Sequence, residues 1–297
     1  MNQANTTPTV ITTIAEIRRV LDGHRAAGRT IGFVPTMGYL HDGHGSLIRT
    51  AATDNDLTVI SIFVNPLQFA ADEDLSTYPR DLERDCALAG ANGAALVFAP
   101  EVGEMYPHGA VSTSVEVDGL SSAWEGESRP SHFRGVATVV TKLFNIIGPA
   151  QAYFGEKDFQ QLAVIRRMVA DLSAPIHVVG CPIVREPDGL AMSSRNIYLS
   201  ASERQAALVL RRALDEGERL IGEGARDPSA VGASMAAVVA AEPLAELDYA
   251  AAIDPDTLDQ PEKLGPTARL VIAARLGSTR LIDNTGVTVG ADQPTGA

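Results

Sequence analysis

The chain is short of positive charge. Its 24 lysines and arginines face 37 aspartates and glutamates, a formal net charge of −13 over 297 residues. A nucleic-acid partner needs a field of cationic side chains to neutralise phosphates, so this balance argues against that class. An anionic small substrate stays open, but the whole surface cannot draw it in, and its site must gather positive charge locally. Cysteine is scarce as well. Cys86 and Cys181 lie far apart with no ligand-like neighbours, which favours small buried hydrophobes in a reducing compartment. No apolar run approaches a membrane span, and the opening MNQANTTPT lacks a signal-peptide core. The expectation is a cytoplasmic protein with a disordered N-terminal tail of several residues. Internal repeats and low-complexity blocks are absent from the sequence.

What is present is ordinary globular composition, 45% apolar and 21% charged, at a length that suits one large domain plus a smaller one. Through the first two-thirds, short apolar runs alternate with helical patterns. Strands are expected at 30–34, 57–64, 95–99, 151–155 and 176–184. Helices are expected from near Ser46, over 81–91, over 135–147, and after residue 157, where Leu162, Ile165, Met168, Val169 and Leu172 recur at helical spacing. This alternation predicts a Rossmann-like, doubly wound, mainly parallel α/β sheet. The remainder reads as a smaller α+β domain. An Ala-rich helix runs from Ser200 to about Glu223, a second covers 228–241, and strands lie at 247–253 and 268–276. Pro187 and Gly189 break the pattern between Glu186 and Leu190, giving domains 1–186 and 187–297.

Three segments carry chemistry. Met37-Gly38-Tyr39-Leu40-His41-Asp42-Gly43-His44 follows the first strand and opens a helix, the place where open α/β sheets bind ligands and where unpaired N–H groups can meet a phosphate. Two histidines on that turn could donate to phosphate oxygens; they could equally be surface or capping residues, and a zinc reading lacks a third His or Cys nearby. Gly155-Glu156-Lys157-Asp158 ends the fourth expected strand, with Lys157 as a point charge for phosphate and Asp158 able to cap a helix. Met192-Ser193-Ser194-Arg195 brings hydroxyls and a guanidinium to a loop past the last strand, as a mobile phosphate clamp or an ordinary linker. Asn65, Gln68 and Gln161 are uncharged amides that can hold a carboxylate without neutralising it. Gln160 reads as a solvated helix residue.

The first and third segments resemble the HIGH and KMSKS pair of the nucleotidylyltransferase superfamily. The strings VPTMGYLHDGH, SIFVNPLQF, YPR, EGESRPSHFRGV, FGEKDFQQL, DGLAMSSRN and RLIDN, in order between Ile31 and Asn284, resemble the pantothenate synthetase family. The resemblance implies a homodimer with a small C-terminal lid domain, Mg-ATP as cosubstrate, and condensation of pantoate with β-alanine through a pantoyl adenylate. It places residues 37–44, Gly155 to Asp158, Val184 and Met192 to Arg195 at ATP. His44 is implied as proton donor, with Lys157, Ser193, Ser194 and Arg195 on developing phosphate charge. Gln68 and Gln161 are implied at pantoate, Gln68 also at β-alanine, and Asp85 at magnesium. The chain departs from the family pattern at Gly45, Trp124 and Ser131; Gly45 is expected to loosen the first helical turn.

Overall fold

The computed structural model describes residues 7–70, 75–109 and 111–290. The expected N-terminal tail falls mainly on residues 1–6, outside the described residues. The chain divides into two compact units between Val184 and Arg185.

The first unit is built on six parallel strands: β1 (Thr9–Ile11), β2 (Ile31–Thr36), β3 (Leu57–Ile62), β4 (Leu96–Phe98), β5 (Ala150–Gly155) and β6 (Ile176–Cys181). Their order across the sheet is β1-β4-β3-β2-β5-β6. The helices between them are α1 (Ile14–Ala26), α2 (Asp42–Asp54), α3 (Leu82–Ala91), the single turns α4 (Val102–Met105) and α5 (Glu125–Ser128), α6 (His132–Ile147) and α7 (Phe159–Asp171). Successive strand residues supply two cores. Phe33, Val59, Phe98 and Phe154 join α1, α6 and α7 on one face. Val34, Ile60, Val97 and Tyr153 join α2 and α3 on the other. A strand buried on both faces reads as an unbroken apolar run, which is why these strands were legible.

The expected doubly wound sheet is therefore present, with three differences in detail. β1 and α1 precede the first expected strand; β1 is only three residues long and carries a single buried side chain, Ile11. α2 begins at Asp42 rather than near Ser46, because His41 caps it. β6 ends at Cys181, short of the expected residue 184.

The second unit holds α8 (Ala201–Ala206), α9 (Val209–Gly222), α10 (Pro228–Ala240) and an antiparallel sheet of β7 (Ala245–Ile253), β8 (Thr267–Leu276) and β9 (Thr279–Thr288), in that order. Leu210, Leu214, Met235, Val239, Leu270 and Ile272 form its core. The Ala-rich helix expected as one piece is two, since around Ala207 the backbone bonds tighten to Leu208 N→Gln205 O (3.4 Å) and Leu210 N→Ala207 O (3.2 Å). β9 was missed because its buried positions include Asp283, whose carboxylate takes two bonds from Arg185 at 2.6 and 3.0 Å.

One close approach fixes the site end of the sheet. After β3, residues Pro66–Gln68 form a tight turn that abuts α6 at Gly135. A Cβ on Gly135 would lie 2.2 Å from the carbonyl oxygen of Leu67 and 2.7 Å from Gln68 Cα. Gly135→Ala should therefore cost roughly 1–3 kcal/mol, the usual range for overpacking, measured as a lower urea midpoint with unchanged slope. Wild-type stability would mean that α6 and this turn are not in tight contact.

Candidate active site

The chain winds from β2 through β3 to β4 in one direction, then from β5 to β6 in the other. The order reverses between β2 and β5, and ligands in open α/β sheets bind in the crevice at that reversal, beyond the carboxyl ends of the strands. The HDGH and GEKD segments leave the sheet at those two strand ends.

The turn after β2 is held from below. Thr36 Oγ1 donates to Ser61 O (2.7 Å) and accepts from Gly38 N (3.2 Å). Gly38 and Tyr39 both take left-handed φ, +85° and +49°, a conformation that disfavours any residue with a Cβ. The Asp85 carboxylate, 1% exposed in the first turn of α3, accepts from Tyr39 N at 2.7 Å and Leu40 N at 2.6 Å. Burial pushes the Asp85 carboxyl up, while these two backbone bonds pull it back down. The chain then plugs Leu40 into the core and reaches His41.

The two histidines close a reciprocal cap. Gly43 N donates to His41 Nδ1 (3.1 Å) and His41 N to His44 Nδ1 (3.3 Å), with ring centroids 4.1 Å apart. A backbone N–H aimed at Nδ1 requires that nitrogen to be unprotonated, so each neutral ring carries its hydrogen on Nε2. Burial, then the positive charge of Lys157, lowers His41 to about 4. Burial, then His41 and Lys157, holds His44 well below the usual histidine range. At neutral pH the pair is two uncharged Nε2–H donors in the field of Lys157, which itself stands 3.8 Å from Asp158. The structure thus brings His41, His44 and Lys157 into one electrostatic neighbourhood. It does not use the turn as a row of open N–H groups, since those of Gly38, Tyr39, Leu40, His41 and Gly43 already have protein acceptors.

Gly45 lies in the first turn of α2. It is buried, its N–H bonds His41 O at 3.0 Å, and a Cβ there would meet the Asn92 side chain at 3.1 Å. Small size lets α2 lie against the end of α3.

Gln68 stands at the carboxyl end of β3. Its Nε2 reaches Met37 Sδ at 3.1 Å and its Oε1 accepts from Asn65 Nδ2 at 3.1 Å. Asn65, 1% exposed, also donates to Gly135 O (3.2 Å) and accepts from the Tyr106 hydroxyl (2.8 Å). His132 Nδ1 (3.0 Å) and Arg129 (3.4 Å) hold the Gln68 carbonyl. Asn65 is thus a brace for Gln68, and Tyr106, Arg129 and His132 are supports that sequence patterns did not reveal. Gln160 corrects the reading as solvated. It is 8% exposed, donates to Leu120 O and Ala123 O at 2.8 Å each, and accepts from Glu125 N at 3.1 Å. These bonds fasten the loop in which Trp124 takes the strained φ of +52°. Gln161, half-buried, follows in the first turn of α7.

Val184 ends the first unit, whereas Met192 to Arg195 belong to the second. There Arg185 pairs with Ala191, and Glu186 N bonds Leu190 O at 2.8 Å to form a small hairpin. Ser193 Oγ accepts from Arg195 N at 3.3 Å, and Asn196 Nδ2 ties the loop to Glu186 (3.0 Å) and Ala191 O (3.1 Å). Asp85 does not fit as a magnesium ligand, because it is enclosed and both its oxygens accept backbone N–H groups. Among the described residues, no three His, Cys, Asp or Glu side chains gather as a metal site.

Comparison with known proteins identifies the family and the fold. The family profile described as Pantoate-beta-alanine ligase matches residues 9–286. The chain belongs to the pantoate–β-alanine ligase family. It is 55% identical to a pantothenate synthetase of Sinorhizobium medicae over 275 residues, covering 92% of this chain and 94% of the relative. Among solved structures, pantothenate synthetase from Thermus thermophilus superposes with a TM-score of 0.88 at 48% identity, covering 93% of this chain and 98% of that one. The Francisella tularensis pantoate-beta-alanine ligase, described as complexed with beta-gamma ATP and beta-alanine, gives 0.77 at 32% identity over 94% and 97%. Both units of this ligase fall within these matches.

The lowered histidines make stability pH-dependent. As pH falls below about 6.5 the unfolded chain takes up protons that folded His41 refuses until about 4, so stability is present above that window and lost going down through it. Each histidine contributes a slope of up to roughly 1.4 kcal/mol per pH unit. His41→Gln and His44→Gln should each flatten the loss, read as urea midpoints from pH 7 to pH 4.5. Parallel curves for wild type and variants would show that neither ring is held neutral.

Proposed function

We propose that this ligase condenses pantoate with β-alanine at the expense of ATP through a pantoyl adenylate. A pantoate carboxylate oxygen attacks the α-phosphorus and pyrophosphate leaves; the β-alanine amine then attacks the acyl carbon, loses a proton, and AMP leaves. The observation that carries this reading is the pair of neutral Nε2–H donors beside Lys157, at the strand reversal. Such donors and a point charge, preorganised where phosphate charge develops, are what adenylation needs, since no covalent enzyme intermediate is required. His44 acts first as a hydrogen-bond donor, and bound phosphate charge draws its pKa back upward, which lets it follow the departing pyrophosphate as an acid.

Residues 37–44, Gly155 to Asp158, Val184 and Met192 to Arg195 are assigned to ATP, an assignment that the family resemblance supports. Gln68 and Gln161 are assigned to pantoate, and Gln68 to β-alanine as well. Magnesium enters as the ion of ATP, held by the phosphates, because Asp85 is otherwise engaged. A cytoplasmic homodimer without nucleic-acid partners is inferred from the family resemblance and the charge of −13; no helix among the described residues is long and apolar enough to cross a membrane.

The decisive experiment is single-turnover pyrophosphate release. Pantoate alone should yield one equivalent per site, and no release without β-alanine would overturn the two-step route. Rapid-quench assays should show His44→Ala and Lys157→Ala slowing adenylate formation ~10²–10³-fold, with a smaller effect on aminolysis of supplied pantoyl adenylate. A defect confined to aminolysis would remove both residues from the pyrophosphate side. Gln68→Ala and Gln161→Ala should each weaken pantoate use by roughly 1–3 kcal/mol with ATP binding little changed. Equal damage to both substrates would place them elsewhere.

A further inference from the structure

We infer that Asp85 is a positioning residue for the nucleotide side of the site: its carboxylate sets the turn that carries His41 and His44. The inference rests on the adenylation reading above. Three observations support it. The turn is intrinsically unfavourable, with consecutive left-handed residues at Gly38 and Tyr39, the second bearing a side chain. Such backbone persists where surrounding contacts over-determine it. Asp85 supplies those contacts as a pair, one oxygen to each of two successive N–H groups at 2.7 and 2.6 Å. Its own place is fixed in turn, because Asp85 N bonds Asp81 O at 3.0 Å, and Asp81 Oδ1 caps α3 at Arg84 N, also 3.0 Å.

Arg84 completes the bracket. Its guanidinium lies 3.7 Å from Asp85 and 4.7 Å above the Tyr39 ring. The fit is close enough to select the residue opposite, for a Cβ on Gly38 would sit 3.0 Å from Asp85 Oδ2. An amide cannot replace this carboxylate. Asn offers one acceptor oxygen and turns an NH2 group toward the second N–H, so one bond becomes a repulsion. The histidines lie immediately beyond Leu40, and a shift of the turn is passed directly to both rings.

The test is Asp85→Asn in the full chain, with folding checked by urea titration. ATP binding measured by calorimetry in EDTA should weaken at least roughly tenfold, the scale of one lost charge-assisted bond. The half-saturating magnesium concentration for pyrophosphate release should stay within about twofold of wild type, and the imidazole nitrogen signals of His41 and His44 should move in the protein alone. That last reading needs no substrate, so its failure is separable from failure of the adenylation reading. Wild-type ATP affinity in EDTA, unmoved imidazole signals, or a magnesium requirement raised by the same factor would each overturn the assignment. Should Asp85→Asn fail to fold, Asp85→Glu decides by the same titrations. The longer carboxylate keeps a charge for a metal but misplaces both bonds, so metal-free ATP affinity falls while the magnesium requirement holds, and the opposite pattern sinks the idea.

Discussion

The paired bond from one enclosed carboxylate to Tyr39 N and Leu40 N is the constraint on which the turn carrying His41 and His44 depends. A parallel strand must leave the sheet, reverse and enter a helix within a few residues. Here the reversal passes through left-handed backbone, and Asp85 adds an anchor from outside the turn to the bond that Thr36 makes within it. The anchor comes from α3, a helix that contributes nothing else evident to the chemistry. Once the turn is set, the cap of α2 follows, because His41 and His44 satisfy each other's backbone neighbourhood. Lys157 then acts on two rings that are already neutral and fixed.

The Gln68 side of the site is organised by the same logic with different parts. Gln68 is aimed by Asn65, Asn65 by Tyr106 and the carbonyl of Gly135, and the Gln68 carbonyl by Arg129 and His132. Gln160 pins the loop that leads to Arg129. The histidine turn and Gln68 are thus each backed by buried polar groups with satisfied bonds, and a half-satisfied network of this kind would be worse than none.

Much of this was legible in the sequence, for physical reasons. β-branched runs buried on two faces announce parallel strands, and the segments that follow them must lie at one end of the sheet. By that logic Met37 to His44, Gln68 and Gly155 to Asp158 share one end of the sheet. What it could not supply were the long-range partners. Nothing near Asp85 ties it to Tyr39, and an aspartate in a first helical turn already has an ordinary explanation. Gln160 and Gln161 look alike in the sequence, yet their side chains meet different surroundings. β9 hid because its inward positions include an aspartate whose partner lies 98 residues away.

The reciprocal cap has a consequence for which residue types the site can accept. Each imidazole works at both ends at once, receiving a backbone N–H on the nitrogen nearer the chain and offering a hydrogen on the farther one. An asparagine reproduces only the near end, and a glutamine reaches only the far end. No other neutral side chain spans the two with a rigid body between them. Histidine suits these positions through the dimensions of its ring as well as through its capacity to titrate.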